Sequence, residues 1–489
     1  MPKSPKALMF QGTGSDVGKS LLVAGLCRAF VRRGLKVAPF KPQNMSNNAA
    51  VTREGGEIGR AQALQARACG LDLSIHMNPV LLKPQSDVGS QVVVQGEVVG
   101  NATARDYTKL KLSLMPKVLE SFHKLAETAD LVLVEGAGSA AEVNLRKSDI
   151  ANMGFAEAAD IPVILIGDID RGGVIASIVG THCLISESEK LRTKGYLINK
   201  FRGDPSLFTS ALDIIKDQCD QDCFGIVPYF KEASLLPDED AMSLDNRKKQ
   251  AGEKSIKIIV PRFSRIANFD DLDPLRAEND VDVVIVEAGS ALPADGDVIL
   301  LPGSKATLAD LAYMYEQGWD IDIKAHVRRG GRVVGLCGGY QMLGQEVCDP
   351  DGIEGKIKSM DGLGLLPMKT VMKGPKTLRE TSGTCLETSH KVSGYEMHMG
   401  VSKDLEPTEP WLELEGKKEG RLSKDGLIMG TYLHGIFNSD EFRHAFLKDI
   451  RAERSAGVAY DQQIEDVLDQ LAEHLEEYCD LDGLLALAG

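Results

Sequence analysis

The apolar residues of this chain come in short runs separated by stretches with helical spacing. In the first half the runs are ALMFQG (7–12), LKVAPFK (35–41), LVLVEG (131–136), PVILIGD (162–168), KGYLINK (194–200) and a shorter one at 224–228. Helical patterns lie between them, as at 18–33 and 114–127. Such an alternation predicts an α/β domain built on a parallel, doubly wound sheet. The pattern stops at 237–255 (PDEDAMSLDNRKKQAGEKS), a polar, charged stretch that reads as a linker. It then restarts with KIIVPR, DVVIVEAGS, DVILLPG, RVVGLCGG and LIMGTYLHG, which predicts a second α/β domain. The expected organisation is a first domain over 1–236, the linker 237–255, a second domain over 256–450 and a helical tail over 451–489. In the tail Ile464, Val467, Leu468, Leu471 and Leu475 form one stripe, expected to pack on the second domain.

Composition narrows the class. A chain of 489 residues is too long for a single core, in keeping with two domains. A formal net charge of −15 argues against nucleic acid or a membrane surface as partner, though not against a small anionic substrate near local lysines and arginines. Nine cysteines without paired spacing read as free thiols of a reducing compartment. The start MPKSPKALMF lacks the apolar core and cleavage site of a signal peptide, and no apolar run approaches the ~18 residues of a membrane span. A soluble, cytoplasmic protein is expected.

The first chemical signature is Gly12-Thr13-Gly14-Ser15-Asp16-Val17-Gly18-Lys19-Ser20, directly after a strand and opening a helix. In that context backbone N–H groups and the helix N-terminus cradle phosphates, a lysine holds the outer ones and a serine hydroxyl binds Mg²⁺. Gly12, Thr13, Gly14, Gly18, Lys19 and Ser20 are therefore the candidate ATP-phosphate ligands. Gly12 stands six residues before Gly18 rather than five, a variant spacing that resembles the dethiobiotin-synthetase branch of P-loop proteins. That likeness implies that Lys41, after the second strand, contacts phosphate and a substrate carboxylate. Glu135 ends an apolar strand at the edge where parallel sheets gather ligands, which suits a Mg²⁺ role beside Ser20. Asp168, Asp170, Asn199 and Lys200 also end strands and are expected to line the nucleotide or acceptor site.

The second signature is Gly335-Leu336-Cys337-Gly338-Gly339, between the strand RVVGL and a helical stretch. This strand–turn–helix elbow exposes a nucleophile, and the helix N-terminus favours a thiolate. His434, in GTYLHGIF just past another apolar strand, is the candidate base. The pair resembles class I glutamine amidotransferases. In those, the turn equivalent to LLPGSKAT (300–307) gives an oxyanion-hole N–H, so Gly303 or Ser304 would act here together with Gly338. Many class I enzymes carry glutamate two residues after the histidine, where this chain has Ile436. Either His434 works in a dyad or an acid from elsewhere orients it, with Glu396 of SGYEMHMG as a candidate.

Both signatures occur in one chain, in the order P-loop domain then glutaminase. That order, with QGTGSDVGKS, KPQNMSNN, GRAQALQA, NPVLLKP, VEGAGS, DIDRGGVIAS, NKFRGD, LPGSKAT, GLCGGYQMLG, SGYEMHMG and GTYLHGIF, resembles the cobyric acid synthase family over nearly the whole length. The resemblance implies amidation of four peripheral carboxylates of adenosylcobyrinic acid a,c-diamide. ATP and Mg²⁺ would activate each carboxylate as an acyl phosphate, with glutamine as ammonia donor. Lys41, Lys83, Arg171 and Arg202 would have to supply an anion-friendly mouth. Three other readings stay open: cobyrinic acid a,c-diamide synthase, a non-catalytic partitioning-type P-loop ATPase, and a regulatory pseudo-amidotransferase.

Overall fold

In the computed structural model, which describes residues 6–86, 89–237, 256–454 and 457–489, every apolar run of the first half becomes a strand. These are β1 (Ala7–Gly12), β2 (Val37–Phe40), β3 (Leu131–Ser139), β4 (Val163–Asp168), β5 (Thr193–Phe201) and β6 (Asp222–Pro228). They pair in the order β6-β5-β4-β1-β3-β2, and each pair is parallel. All residues of β1, β2 and β4 are buried, which explains why these strands are continuously apolar rather than alternating. Helix α1 (Lys19–Arg32) leaves the end of β1, and α2 (Arg60–Ala68) lies beside it. Helix α3 (Ala104–Ala126) begins well before 114, because the Thr103 side chain caps it by accepting the Asp106 N–H. A four-stranded sheet of Gln43–Met45, Val80–Ser86, Gly89–Val94 and Glu97–Thr103 has no counterpart in the sequence reading. Its outer strand is almost wholly exposed and therefore carries little apolar signal.

The chain divides into two compact units: one of 1–46, 56–237 and 464–489, the other of 47–55 and 238–463. This corrects the expected boundaries in two places. The tail belongs with the P-loop unit, not with the second domain. Leu471 and Leu475 of the helix Tyr460–Tyr478 lie so close to α1 that a Cβ on Gly25 would stand 2.7 and 2.6 Å from them. Arg28 of α1 pairs with Glu465 and Asp469 at 2.6 and 2.7 Å. The apolar stripe was correctly located in the sequence, but the face it covers is fixed by the small Gly25 surface of α1 and its flanking arginines. The second correction is the stretch 47–55, whose buried strand Ala49–Val51 is grouped with the second unit although it lies in the first half of the chain. The expected linker, apart from Pro237, falls outside the described residues.

The second unit holds β7 (Ile256–Pro261), β8 (Val281–Val286), β9 (Val298–Leu301), β10 (Arg332–Leu336), β11 (Arg421–Leu422) and β12 (Ile428–Thr431). The order is β8-β7-β9-β10-β12-β11, parallel except for the β11–β12 pair. Helix α4 (Gly338–Met342) follows β10 through a one-residue turn at Cys337. An antiparallel sheet containing Thr377–Cys385, Lys391–His398 and Leu433–His434 places Tyr395 opposite His434. Among the described residues no helix is long and apolar enough to cross a membrane.

Candidate active sites

The glycine-rich turn after β1 closes on itself in a way that leaves no room for a side chain at Gly12 or Gly18. A Cβ at Gly12 would lie 2.6 Å from the Gly14 carbonyl oxygen and 2.8 Å from Lys19 Nζ. Gly18 has φ +90°, left-handed backbone that favours glycine, and the Asn199 amide fills the space beside it. Asn199 Nδ2 donates to the Val17 carbonyl at 2.8 Å, tying the end of β5 to the loop. Lys19 is buried and donates to the carbonyls of Gly14 and Gly138 at 3.1 and 3.0 Å, so its ammonium sits at the centre of the turn.

Glu135 does not end its strand as the sequence suggested but lies fully buried in the middle of β3, which runs on to Ser139, and collects a set of donors. Ser20 Oγ and Lys41 Nζ donate to its Oε1 at 2.7 and 2.8 Å, and Gln65 Nε2 to its Oε2 at 2.7 Å. The structure thus brings the candidates Ser20, Lys41 and Glu135 into one cluster. The sequence did not single out Gln65, which α2 brings across the face of α1. Asp168 is paired with Lys200 at 2.8 Å, and Arg171 with Asp16 at 3.3 Å. Asp170 pairs with Arg202, whose guanidinium lies 3.8 Å from the centre of the Tyr229 ring. Lys83 departs from the expectation of an anion-friendly mouth, because it is buried against Glu57 at 2.7 Å.

The turn at Cys337 is built by crowding. Cys337 has φ +51°, strained for a residue with a side chain, and this rotation turns the sulfur away from the β10 axis at the start of α4. A Cβ at Gly339 would sit 2.1 Å from the Leu301 carbonyl oxygen, and one at Gly338 would sit 2.8 Å from the Ser304 nitrogen. Only glycine fits at the two positions after Cys337. The thiol contacts the Met397 carbonyl at 3.5 Å and is a hydrogen-bond partner of the His434 imidazole.

His434 is almost wholly buried, and its Nδ1 lies 2.7 Å from Asp271 Oδ2. The other Asp271 oxygen accepts the Gly435 N–H at 2.6 Å, and the Tyr395 ring stacks on the imidazole at 18°. Burial alone would depress this imidazole, but the Asp271 carboxylate and the Cys337 sulfur outweigh it and push it up to about 10. This geometry overturns Glu396 as the orienting acid. Glu396 lies on the strand that runs beside Leu433–His434, but its carboxylate is paired with Arg379. The third member is Asp271, from the short helical turn Phe269–Leu272 after β7. It stands 163 residues before His434, so no local spacing could reveal it. The run NFDDLDP offered only a cluster of acids between two apolar stretches.

Two family models match the chain: a CobQ/CobB/MinD/ParA nucleotide binding domain over residues 8–244 and a CobB/CobQ-like glutamine amidotransferase domain over 257–442. The chain is 57% identical over 484 residues to the cobyric acid synthase of Methylorubrum populi, with 99% of each chain covered. It is 56% identical over 482 residues to that of Cereibacter sphaeroides, again with 99% of each covered. The Brucella canis cobyric acid synthase is 55% identical over 483 residues, covering 99% of this chain and 100% of the relative.

Proposed function

The chain belongs to the cobyric acid synthase family, and we propose from that premise a division of the reaction between Cys337 in one unit and the P-loop in the other. The protein is an enzyme of cobalamin biosynthesis that carries out ATP- and glutamine-dependent amidation. The observation that carries the division is the contact chain from Cys337 to His434 to Asp271, the last link at 2.7 Å. Asp271 accepts a hydrogen bond from the Nδ1–H and leaves Nε2 for the thiol. His434 takes the thiol proton, and the thiolate attacks the side-chain amide carbon of glutamine. His434 then gives that proton to the departing ammonia, and water releases glutamate from the thioester.

Two N–H groups serve the oxyanion in this reading. Gly338 supplies the first, as the opening residue of α4. For the second, Gly303 pairs with Ala267 and the Lys305 N–H donates to the Arg265 carbonyl at 2.9 Å. In an antiparallel pair the intervening residue turns its N–H the other way. That residue is Ser304, whose nitrogen faces Gly338, so Ser304 rather than Gly303 is the donor we assign.

In the P-loop unit Lys19 and the backbone of residues 12–18 hold the phosphates. Ser20 and Glu135 are hard oxygen donors 2.7 Å apart at a helix start, a set that fits Mg²⁺, which when bound would neutralise phosphate charge. Lys41, which pairs with Glu135, meets the carboxylate being activated in this reading. In this reading the acceptors are the four carboxylates b, d, e and g of adenosylcobyrinic acid a,c-diamide. A cytoplasmic setting accords with nine cysteines that all stand as free thiols.

The test is product mass from adenosylcobyrinic acid a,c-diamide, Mg-ATP and either glutamine or ammonium, with wild type and Cys337→Ala. Four successive amidations by wild type are expected, and the variant should work only with ammonium. If the variant still uses glutamine, Cys337 is not the nucleophile. If the corrinoid is unchanged while glutamate and ADP accumulate, the substrate assignment fails.

A further inference from the structure

Beyond the triad, one buried acid of the second unit is tied to the turn that carries the Ser304 N–H. Asp310 lies in the first turn of the helix Thr307–Glu316 and is fully buried. Its Oδ2 accepts the Ser304 hydroxyl at 2.5 Å. Its Oδ1 accepts the Ser264 hydroxyl at 2.7 Å and the Arg265 N–H at 3.1 Å. A buried carboxylate is costly unless its oxygens find donors, and here each oxygen takes its donors from a different segment of the chain.

The two segments lead into the two sides of one short pair. Ile266–Ala267 and Gly303–Ser304 run antiparallel, with Ile266 opposite Ser304 and Ala267 opposite Gly303. Two residues a side give few ladder hydrogen bonds, too few to fix a strand firmly by themselves. Yet this pair has little slack on the side of the reaction. A Cβ on Gly303 would lie 3.0 Å from His434 Cε1, and one on Gly338 would lie 2.8 Å from the Ser304 nitrogen. The Ser304 hydroxyl also accepts the Ala306 N–H at 3.0 Å, so its side chain is held both as donor and as acceptor. That leaves the Ser304 backbone little freedom to turn its N–H.

We propose that Asp310 is a positioning residue of the glutaminase: by gripping Ser304 and residues 264–265 with one carboxylate, it holds the Ser304 N–H where the oxyanion develops. The inference rests on the glutaminase reading given above, with Ser304 as oxyanion donor. Acylation of Cys337 by glutamine and hydrolysis of the thioester each pass through a tetrahedral oxyanion, so a displaced donor slows both. The carbonyl of bound glutamine gains far less from that N–H than the oxyanion does. The thiolate depends on His434 and Asp271, and Asp271 is anchored separately by the Gly435 N–H at 2.6 Å. A purely structural role, in which Asp310 only balances the N-terminal end of its helix, would loosen the whole site instead.

The experiment measures glutamate release by the full chain and, on the same preparations, the rate at which iodoacetamide alkylates Cys337, read from the mass of the peptide that carries it. In alkylation the thiolate displaces iodide from carbon and no oxyanion forms. For Asp310→Asn, glutaminase kcat is expected to fall about 10–100-fold, the scale of a donor misplaced by about 1 Å. KM for glutamine and the alkylation rate should both stay within about twofold. Ser304→Ala keeps the N–H but removes the hydroxyl that Asp310 holds, so it should show the same kcat loss. The double variant should then lose no more than about threefold beyond either single one. Losses that multiply in the double variant would mean that Asp310 acts elsewhere than through Ser304. An alkylation rate that falls with kcat would make it a structural acid of the whole site, and an unchanged kcat would remove it from the reaction; each of these overturns the proposal. Should Asp310→Asn not fold, Ser304→Ala carries the test alone: lowered kcat with unaltered alkylation supports the proposal, and wild-type kcat overturns it. Failure of the glutaminase reading itself shows separately, as glutamate release that survives Cys337→Ala.

Discussion

At the residue scale the chemistry hangs on how far Asp271 governs His434. Replacing Asp271 by Asn removes the charge that opposes burial of the imidazolium and removes the preference for the Nδ1–H tautomer. Glutaminase kcat is expected to fall by about 10²–10⁴, with KM for glutamine little changed and ammonium-driven amidation intact. Steady-state kinetics with the two nitrogen sources checks this. The same pair gives a pH dependence of stability. His434 is raised from 6.5 to about 10 in the folded protein, so its contribution is fully present below about pH 6.5 and is lost as pH climbs toward 10. Thermal unfolding between pH 6.5 and 10 should therefore show a decline that is flatter in Asp271→Asn.

At the scale of elements the tail helix is the informative case. Leu471 and Leu475 are buried against α1, the helix that carries Lys19 and Ser20 at its start. Leu475→Ala should cost about 2–5 kcal/mol, the range for removing a buried leucine side chain. The loss should fall on the P-loop unit: ATP binding should weaken in step with thermal stability, while glutamine hydrolysis keeps its rate. Isothermal titration with ATP and a glutaminase assay on one preparation separate the two. If the tail served the second unit instead, the glutaminase would be the first activity to suffer. The exposed strand Glu97–Thr103 makes the complementary point, since an element with little apolar burial is nearly silent in a hydrophobic pattern.

At the scale of the whole molecule the proposed division gives each half of the reaction its own machinery in its own compact unit. Lesions should therefore separate. Lys19→Ala is expected to abolish amidation with glutamine and with ammonium alike, by at least about 10²-fold, because the phosphates lose their buried cation in both cases. Measuring product with each nitrogen source beside Cys337→Ala gives the two opposite patterns.

Most of this molecule was legible because its signals are local. A strand buried on both sides has to be apolar throughout, so β1, β3, β4 and β10 stand out from the sequence. Likewise a phosphate loop and a nucleophile elbow need glycine at fixed short spacings, and so Gly12–Ser20 and Gly335–Gly339 announce themselves. The family resemblance, extending over the entire length, added the substrate that such residues could not name. The acid behind His434, the partner of Glu135 on α2 and the face covered by the tail could not be read in that way. Each depends on residues distant in sequence meeting after folding, with their positions set by packing rather than by period or motif. Sequence alone determined the buried strands and pointed to the candidate reactive atoms; tertiary structure decided which acid meets the imidazole, because charge pairing depends on distance in space and not along the chain.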